Sequence, residues 1–188
     1  MAPSNLWNER GELQRPATQF RDFISNDANA RFPPEKGRYH LYVSYACPWA
    51  HRTLIVRKLK GLEDLITVTV VHYHMSLTDS WRFYTDEDET DDEDCCPDPL
   101  HTDTERLKEL YLKAQPDYDG RFSVPVLWDR KLETIVSNES SEIIRMMYSA
   151  FDQLLPPRFQ QVDLYPQVLR QEIDQTNEWT YDYINNGV

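Results

Sequence analysis

The chain has 188 residues, 40% of them hydrophobic, and a net charge of −12. That is enough apolar material for one domain or one domain plus part of another, and no apolar run is long enough to span a bilayer. The absence of a basic cluster argues against nucleic acid, and three cysteines in this length do not make a disulfide scaffold, so a reducing, cytoplasmic setting is expected.

Residues 1–38 read as an irregular arm, and MAPSNLWNERGEL lacks the apolar region of a signal peptide. Phe20, Phe23 and Phe32 are expected to tuck the arm against a core, and Pro33-Pro34 and Gly37 announce the first strand. Tyr39 to Tyr45 is rich in aromatic and β-branched residues, as a strand requires. Pro48 occupies a first helical position, where its missing N–H costs nothing. Ile55, Leu59 and Leu62, with Leu54 beside them, then recur at helical spacing. Cys47 therefore sits at a helix N-terminus, facing unpaired N–H groups and the positive end of the macrodipole, which favours the nucleophilic thiolate. Arg52 adds positive charge one turn further on. The competing reading is a small apolar cysteine at a strand end; the strand–Cys–Pro–helix order favours a working thiol. Ala50 stands where a two-thiol motif would carry its second cysteine. A disulfide formed on Cys47 must then be broken by an outside thiol, for which glutathione is the candidate.

Leu65 to Tyr73 is the strongest strand signal, parallel to the first through the helical crossover. His72 and His74 would share a face, but no further ligands cluster nearby and no metal is expected. Residues 75–100 form a loop containing Trp81 and Phe83. Within it Asp86–Asp94 holds eight acids and no base, leaving −4 for the remaining chain. This run is expected to be a solvated, mobile insert whose deletion leaves the thermal midpoint nearly unchanged. Cys95 and Cys96 are expected to be ordinary thiols, disfavoured as thiolates by the surrounding acids.

Asp103 to Gln115 has a helical period, with Asp103 or Thr104 as its cap. Val124 to Trp128 and Leu132 to Val136 form an antiparallel hairpin, opened by a Val124-Pro125 bond where a proline is tolerated and a cis bond is compatible. Asn138-Glu139-Ser140-Ser141 begins a helix carrying Ile143, Ile144 and Met147. Its start suits either an anion site or a plain N-cap, and both remain open. The order βαβ, α, ββ, α describes an α/β, thioredoxin-like domain with a mixed four-stranded sheet. The expected division is an arm over 1–38, that domain over 39–150 with an acidic loop at 85–100, and 151–188. From Tyr165 the period is again helical, closed by the signal Asn186-Gly187-Val188, with Val168, Ile173 and Trp179 on an unpartnered apolar face.

CPWAHR at Cys47–Arg52, GRFSVPVLWD at Gly120–Asp129, IVSNESSEIIRM at Ile135–Met146 and YDYINNGV at Tyr181–Val188 resemble the xi-class glutathione transferases. These are the glutathionyl-hydroquinone reductases, relatives of the omega class. The resemblance implies that Cys47 attacks a glutathionyl conjugate and becomes a mixed disulfide, which a second glutathione releases. It implies that Trp81 covers glutathione, and that Arg121 and Val124 belong to the loop before a structural cis-proline at Pro125. Val124 would pair with the cysteinyl part, and Glu139 and Ser140 would hold the γ-glutamyl end. The implied partners are glutathione, as co-substrate, and small aromatic or quinone conjugates, with no metal, nucleic acid or membrane and with a homodimer in the full-length family. Family members are longer, with a helical domain that builds the hydroquinone pocket and a tyrosine proton donor directly after NNGV. This sequence stops at Val188, so 151–188 is expected to be the linker and first helix of an incomplete helical domain. Ser80 stands where the family usually has glycine. The alternatives are a glutaredoxin-like protein deglutathionylase and a non-catalytic module of the same fold. Retention of Cys47, Val124, Glu139 and Ser140 favours catalysis.

Overall fold

Strand β1 (Tyr39–Val43) is the strand from which the others are laid out. In a computed structural model, which describes residues 18–76 and 80–185, helix α1 (Pro48–Leu59) carries the chain over to β2 (Ile66–Val70). The two strands pair in parallel from Tyr39 opposite Ile66 to Val43 opposite Val70. On its other side β1 runs antiparallel to β3 (Val126–Asp129), which turns back into β4 (Thr134–Ser137). The order β2-β1-β3-β4 is the mixed four-stranded, thioredoxin-like sheet expected. Every residue of β1 is buried because this inner strand is covered on both faces. Alternation separates its side chains: the Tyr39 ring meets Phe151, whereas the Tyr42 ring meets Phe83. Helices α1 and α3 (Ser140–Ser149) pack on each other, and α2 (Leu107–Ala114) lies against β4.

Several elements differ from their sequence expectation. The strand after α1 ends at Val70, one residue before the Val71 N–H makes its last bond to β1, on the Val43 carbonyl at 2.8 Å, while the outward-facing Val70 N–H donates to the Asp94 carbonyl at 2.7 Å. The buried face of α1 is Ala50, Thr53 and Val56, while Ile55 and Leu59 are exposed. Helix α2 starts at Leu107, not Asp103, because Phe83 and Trp81 hold Arg106 extended: Phe83 N–H donates to the Glu105 carbonyl and Leu107 N–H to the Trp81 carbonyl, both at 2.9 Å. Its cap is therefore made from within, by Glu109 accepting from Arg106 N–H at 2.8 Å.

The arm does tuck in, through Phe32, which is buried, and Phe20, which packs on Tyr111 and Tyr118; Phe23 is exposed. Asp22 N–H donates to Val136 at 3.0 Å and Asn138 N–H to Phe20 at 3.2 Å, so the arm lines the outer edge of β4. After α3, a 3-10 turn (Asp152–Leu154) and a short helix α4 (Pro157–Gln160) fold back onto the end of α1. There Lys60 is wholly buried: its Nζ donates to the carbonyls of Phe159 at 3.1 Å and Val162 at 2.9 Å and pairs with Asp152 at 2.8 Å. Gly61 follows at φ +63, with the Phe159 ring occupying the place of a Cβ.

The acidic run is solvated at Asp86, Glu87, Glu89, Asp91 and Glu93, as expected, but it is tied down at three points. Asp88 accepts both arms of the Arg82 guanidinium at 2.7 and 2.6 Å, Asp92 accepts from the Tyr45 hydroxyl at 2.8 Å, and the Asp94 carbonyl holds β2. The Arg82 bonds hold the Asp88 carboxyl well below the usual range. Deleting Asp86–Asp94 should therefore destabilise the chain by about 2–4 kcal/mol, since charged hydrogen bonds and a strand partner are lost together. An unchanged thermal midpoint would show that these ties contribute nothing.

Residues 163–185 belong to a unit separate from Thr18–Val162. The single helix expected there is a 3-10 turn (Gln167–Leu169), then α5 (Arg170–Thr180), then a π-turn (Tyr181–Asn185). Val168 and Trp179 are exposed and Ile173 is half-buried. The arm before Thr18 and the signal Asn186-Gly187-Val188 lie outside the described residues. Among those described, no helix is long and apolar enough to cross a membrane.

Candidate active site

The end of β1 delivers Cys47 to the N-cap of α1, with Pro48 in the first turn. Its N–H donates to the Ser44 carbonyl at 3.0 Å, and its own carbonyl accepts from His51 N–H at 3.1 Å. The backbone is thus fixed on both sides of the thiol. The half-buried Sγ points across to the Val124 carbonyl, at 3.5 Å. Val124 precedes Pro125 through a cis bond, so the thiol and the cis-proline loop expected from sequence face one another.

That loop is clamped from behind. The Tyr111 hydroxyl donates to the Ser123 carbonyl at 2.7 Å and accepts from Asn138 Nδ2 at 3.1 Å, and the Tyr118 hydroxyl donates to the Arg121 carbonyl at 2.9 Å. The rings of Phe20, Tyr111, Tyr118 and Phe122 pack edge to face and tilted around these bonds. The Arg121 side chain itself is exposed.

The start of α3 closes the other side. Glu139 is its N-cap, accepting from Ser141 N–H at 3.1 Å and the Ser141 hydroxyl at 2.9 Å, with the Thr18 hydroxyl at 3.4 Å on its second oxygen. The carboxylate therefore does perform the plain capping role, one of the two uses left open by the sequence. Ser140, buried as the first helical residue, accepts from Arg52 Nη1 at 3.1 Å. The Arg52 guanidinium also lies over the Trp49 ring, 5.2 Å from its centroid. This contact joins the second turn of the thiol helix to the first residue of α3.

Trp81 is buried, and its Nε1 has no acceptor among the described residues. A buried N–H left unpaired is costly. Ser80 before it adopts φ +73, the left-handed region that favours glycine, and donates to the Phe122 carbonyl at 3.5 Å. That conformation is the physical reason a glycine would suit this position.

Other sequence candidates lie apart. His72 and His74 do not share a strand face: the chain has left β2, and His72 accepts from the His74 N–H at 3.1 Å while stacking on Tyr73. Burial lowers the affinity of His72 for a proton. Among the described residues no group of three or more His, Cys, Asp or Glu could hold a metal ion. Cys95 and Cys96 are free thiols, and burial pushes both upward in pKa. Sequence reasoning noticed Arg52 only as added charge, and it missed Thr18. The signal for Arg52 was its place one turn past the thiol; its partner Ser140 is 88 residues away.

The family model described as "Glutathione S-transferase, N-terminal domain" matches residues 46–150. The glutathionyl-hydroquinone reductase YqjG of Escherichia coli is 50% identical over 188 residues, covering 95% of this chain and 53% of that protein. The glutathione-S-transferase Xi from Phanerochaete chrysosporium superposes with a TM-score of 0.85 at 56% identity, over 93% of this chain and 56% of that one. The Xi glutathione transferase ECM4 from Saccharomyces cerevisiae, solved in complex with glutathione, gives a TM-score of 0.84 at 42% identity, over 92% and 56%. The chain spans about half the length of the curated relatives it matches. With the family model covering more than half of its residues and an Xi structure superposing on most of its length, the chain belongs to the glutathione S-transferase family, among its xi-class, omega-like members.

Proposed function

We propose that this chain binds glutathione and uses Cys47 as the nucleophile of a glutathione-dependent transferase or reductase acting on glutathionyl-hydroquinone-type conjugates. The observation that carries the proposal is the 3.5 Å approach of Cys47 Sγ to the Val124 carbonyl at the start of α1. A peptide thiol laid against Val124 would present its sulfur to Cys47. The N-terminus of α3 and Ser140 would take its γ-glutamyl carboxylate, Glu139 its amine, and the unpaired Trp81 Nε1 an acceptor of the same ligand.

The chemistry needs two exchanges. The Cys47 thiolate attacks the glutathionyl sulfur of the conjugate. The carbon–sulfur electron pair passes to the aromatic carbon, which takes a proton, and a Cys47–glutathione disulfide forms. A second glutathione, as thiolate, attacks the glutathione sulfur of that disulfide, giving oxidised glutathione and returning the Cys47 thiolate. Holding both sulfurs in line is what a fixed thiol and a clamped loop contribute. A relative named glutathionyl-hydroquinone reductase and another solved with glutathione support this substrate class. Three free cysteines fit the reducing cytoplasm, where glutathione is abundant.

The test is intact mass after incubation with oxidised glutathione. One glutathionyl unit should be added, removed again by reduced glutathione and absent in Cys47→Ser. An adduct that persists in Cys47→Ser, or no adduct at all, overturns the assignment of the nucleophile.

A further inference from the structure

We propose that Arg52 is a positioning residue, which by donating to the Ser140 hydroxyl fixes that hydroxyl as a donor toward the γ-glutamyl carboxylate of glutathione. The proposal rests on the reading of α3 as the seat of that carboxylate.

The argument is one of proton bookkeeping. A serine hydroxyl has one proton and two lone pairs, and a guanidinium has donors only. The 3.1 Å bond from Arg52 Nη1 therefore consumes a lone pair of Ser140 Oγ and leaves its proton free. Without Arg52, a serine at the start of a helix has other uses for that proton, since such hydroxyls bond readily to nearby backbone. With Arg52 in place the oxygen is held from one side, and the O–H is available to an anion on the other. A carboxylate needs donors, and a donor held in place before binding loses less freedom on binding.

The neighbourhood agrees with this role. Ser140 is only 4% exposed, so its hydroxyl is set by protein contacts rather than by bulk water. The competing capping acceptor, Glu139, is already committed to Ser141 and Thr18. Arg52 is itself braced over the Trp49 ring, two residues from the thiol. One side chain thus sets the donor geometry at α3 from the helix that carries Cys47, placing the γ-glutamyl and cysteinyl parts of the bound peptide in register.

The test is a double-mutant cycle on the whole chain, with glutathione itself titrated by calorimetry and thermal unfolding followed in parallel. Ser140→Ala and Arg52→Met should each raise Kd about tenfold, as loss of a charge-assisted hydrogen bond does. If Arg52 acts through Ser140, the double variant should bind no more weakly than the poorer single. Multiplying losses, or an Arg52→Met Kd within twofold of the parent while Ser140→Ala is weakened, overturns the proposal. Arg52→Gln keeps a donor without the charge and should stay within about threefold of the parent. A loss in Arg52→Gln as large as in Arg52→Met would make the charge the cause and also overturn it. An unchanged Kd in Ser140→Ala is a different result: it removes the α3 seat itself, and the role of Arg52 falls with it.

Discussion

Asp129→Ala should lower the unfolding free energy by about 3–5 kcal/mol, read from urea midpoints. Asp129 is fully buried at the end of β3, and the Arg38 side chain facing it is only 7% exposed. Arg38 Nε donates to Asp129 Oδ2 at 2.9 Å, with Nη2 on the same oxygen. The other oxygen accepts from Lys131 N–H at 2.8 Å and Leu132 N–H at 3.2 Å, closing the turn between β3 and β4. The bond to Asp129 raises the guanidinium pKa further, so the arginine keeps its charge whatever replaces its partner. Alanine would leave that charge buried with the Arg31 carbonyl at 3.2 Å and, as a counter-charge, the more distant Glu35 at 3.7 Å. It would also free two turn N–H groups. Asp129→Asn keeps the turn acceptor and should cost less. A loss below about 1 kcal/mol for the alanine variant would mean that water reaches Arg38 without cost.

Between about pH 6.5 and pH 3, His40 should make the chain less stable as acid is added. Its ring is buried between β1 and β2, with Nδ1 2.6 Å from the Thr67 hydroxyl and Nε2 3.0 Å from that of Thr69. Burial, with repulsion from Arg130, pushes its pKa from 6.5 down to about 3. In that interval the unfolded chain binds a proton that the folded chain refuses. The stability contributed by neutral His40 is therefore whole above the unfolded value and is lost as pH falls toward the folded one. The slope is up to about 1.4 kcal/mol per pH unit for one proton. His72 is lowered in the same direction, and Asp88 adds its own loss further into acid. The diagnostic is thus the difference from His40→Gln, whose stability should fall less steeply from pH 6.5 to 4.5. Parallel curves for the two proteins would exclude His40 as the source.

What the sequence made legible was local. Alternation in Tyr39–Val43, the proline after Cys47 and the cluster at Glu139-Ser140 each act within one turn, and each lies where sequence placed it. What it hid depends on contacts distant in the chain. The apolar stripe of α1 pointed to Ile55 and Leu59, yet the face that packing buries is Ala50, Thr53 and Val56. The start of α2 was misplaced because Trp81 and Phe83 hold Arg106, just before it, extended. The acidic run looked free because its charge says nothing of the Asp94 backbone, which partners β2, although Arg82, six residues before Asp88, was a visible counter-charge. The site followed the same rule: Cys47 and the cis-proline could be read, whereas the pairing of Arg52 with Ser140 could not.

The arm beside β4 and the Asp94 carbonyl beside β2 have a joint effect on how this protein can meet others. A four-stranded sheet has two outer strands whose free N–H and C=O groups invite another chain to add on. Here backbone from the same chain reaches each of those positions first, at Val136 on one side and Val70 on the other. At these positions the backbone groups that a strand from another molecule would need are already taken, so sheet growth from molecule to molecule would first have to displace the chain's own segments.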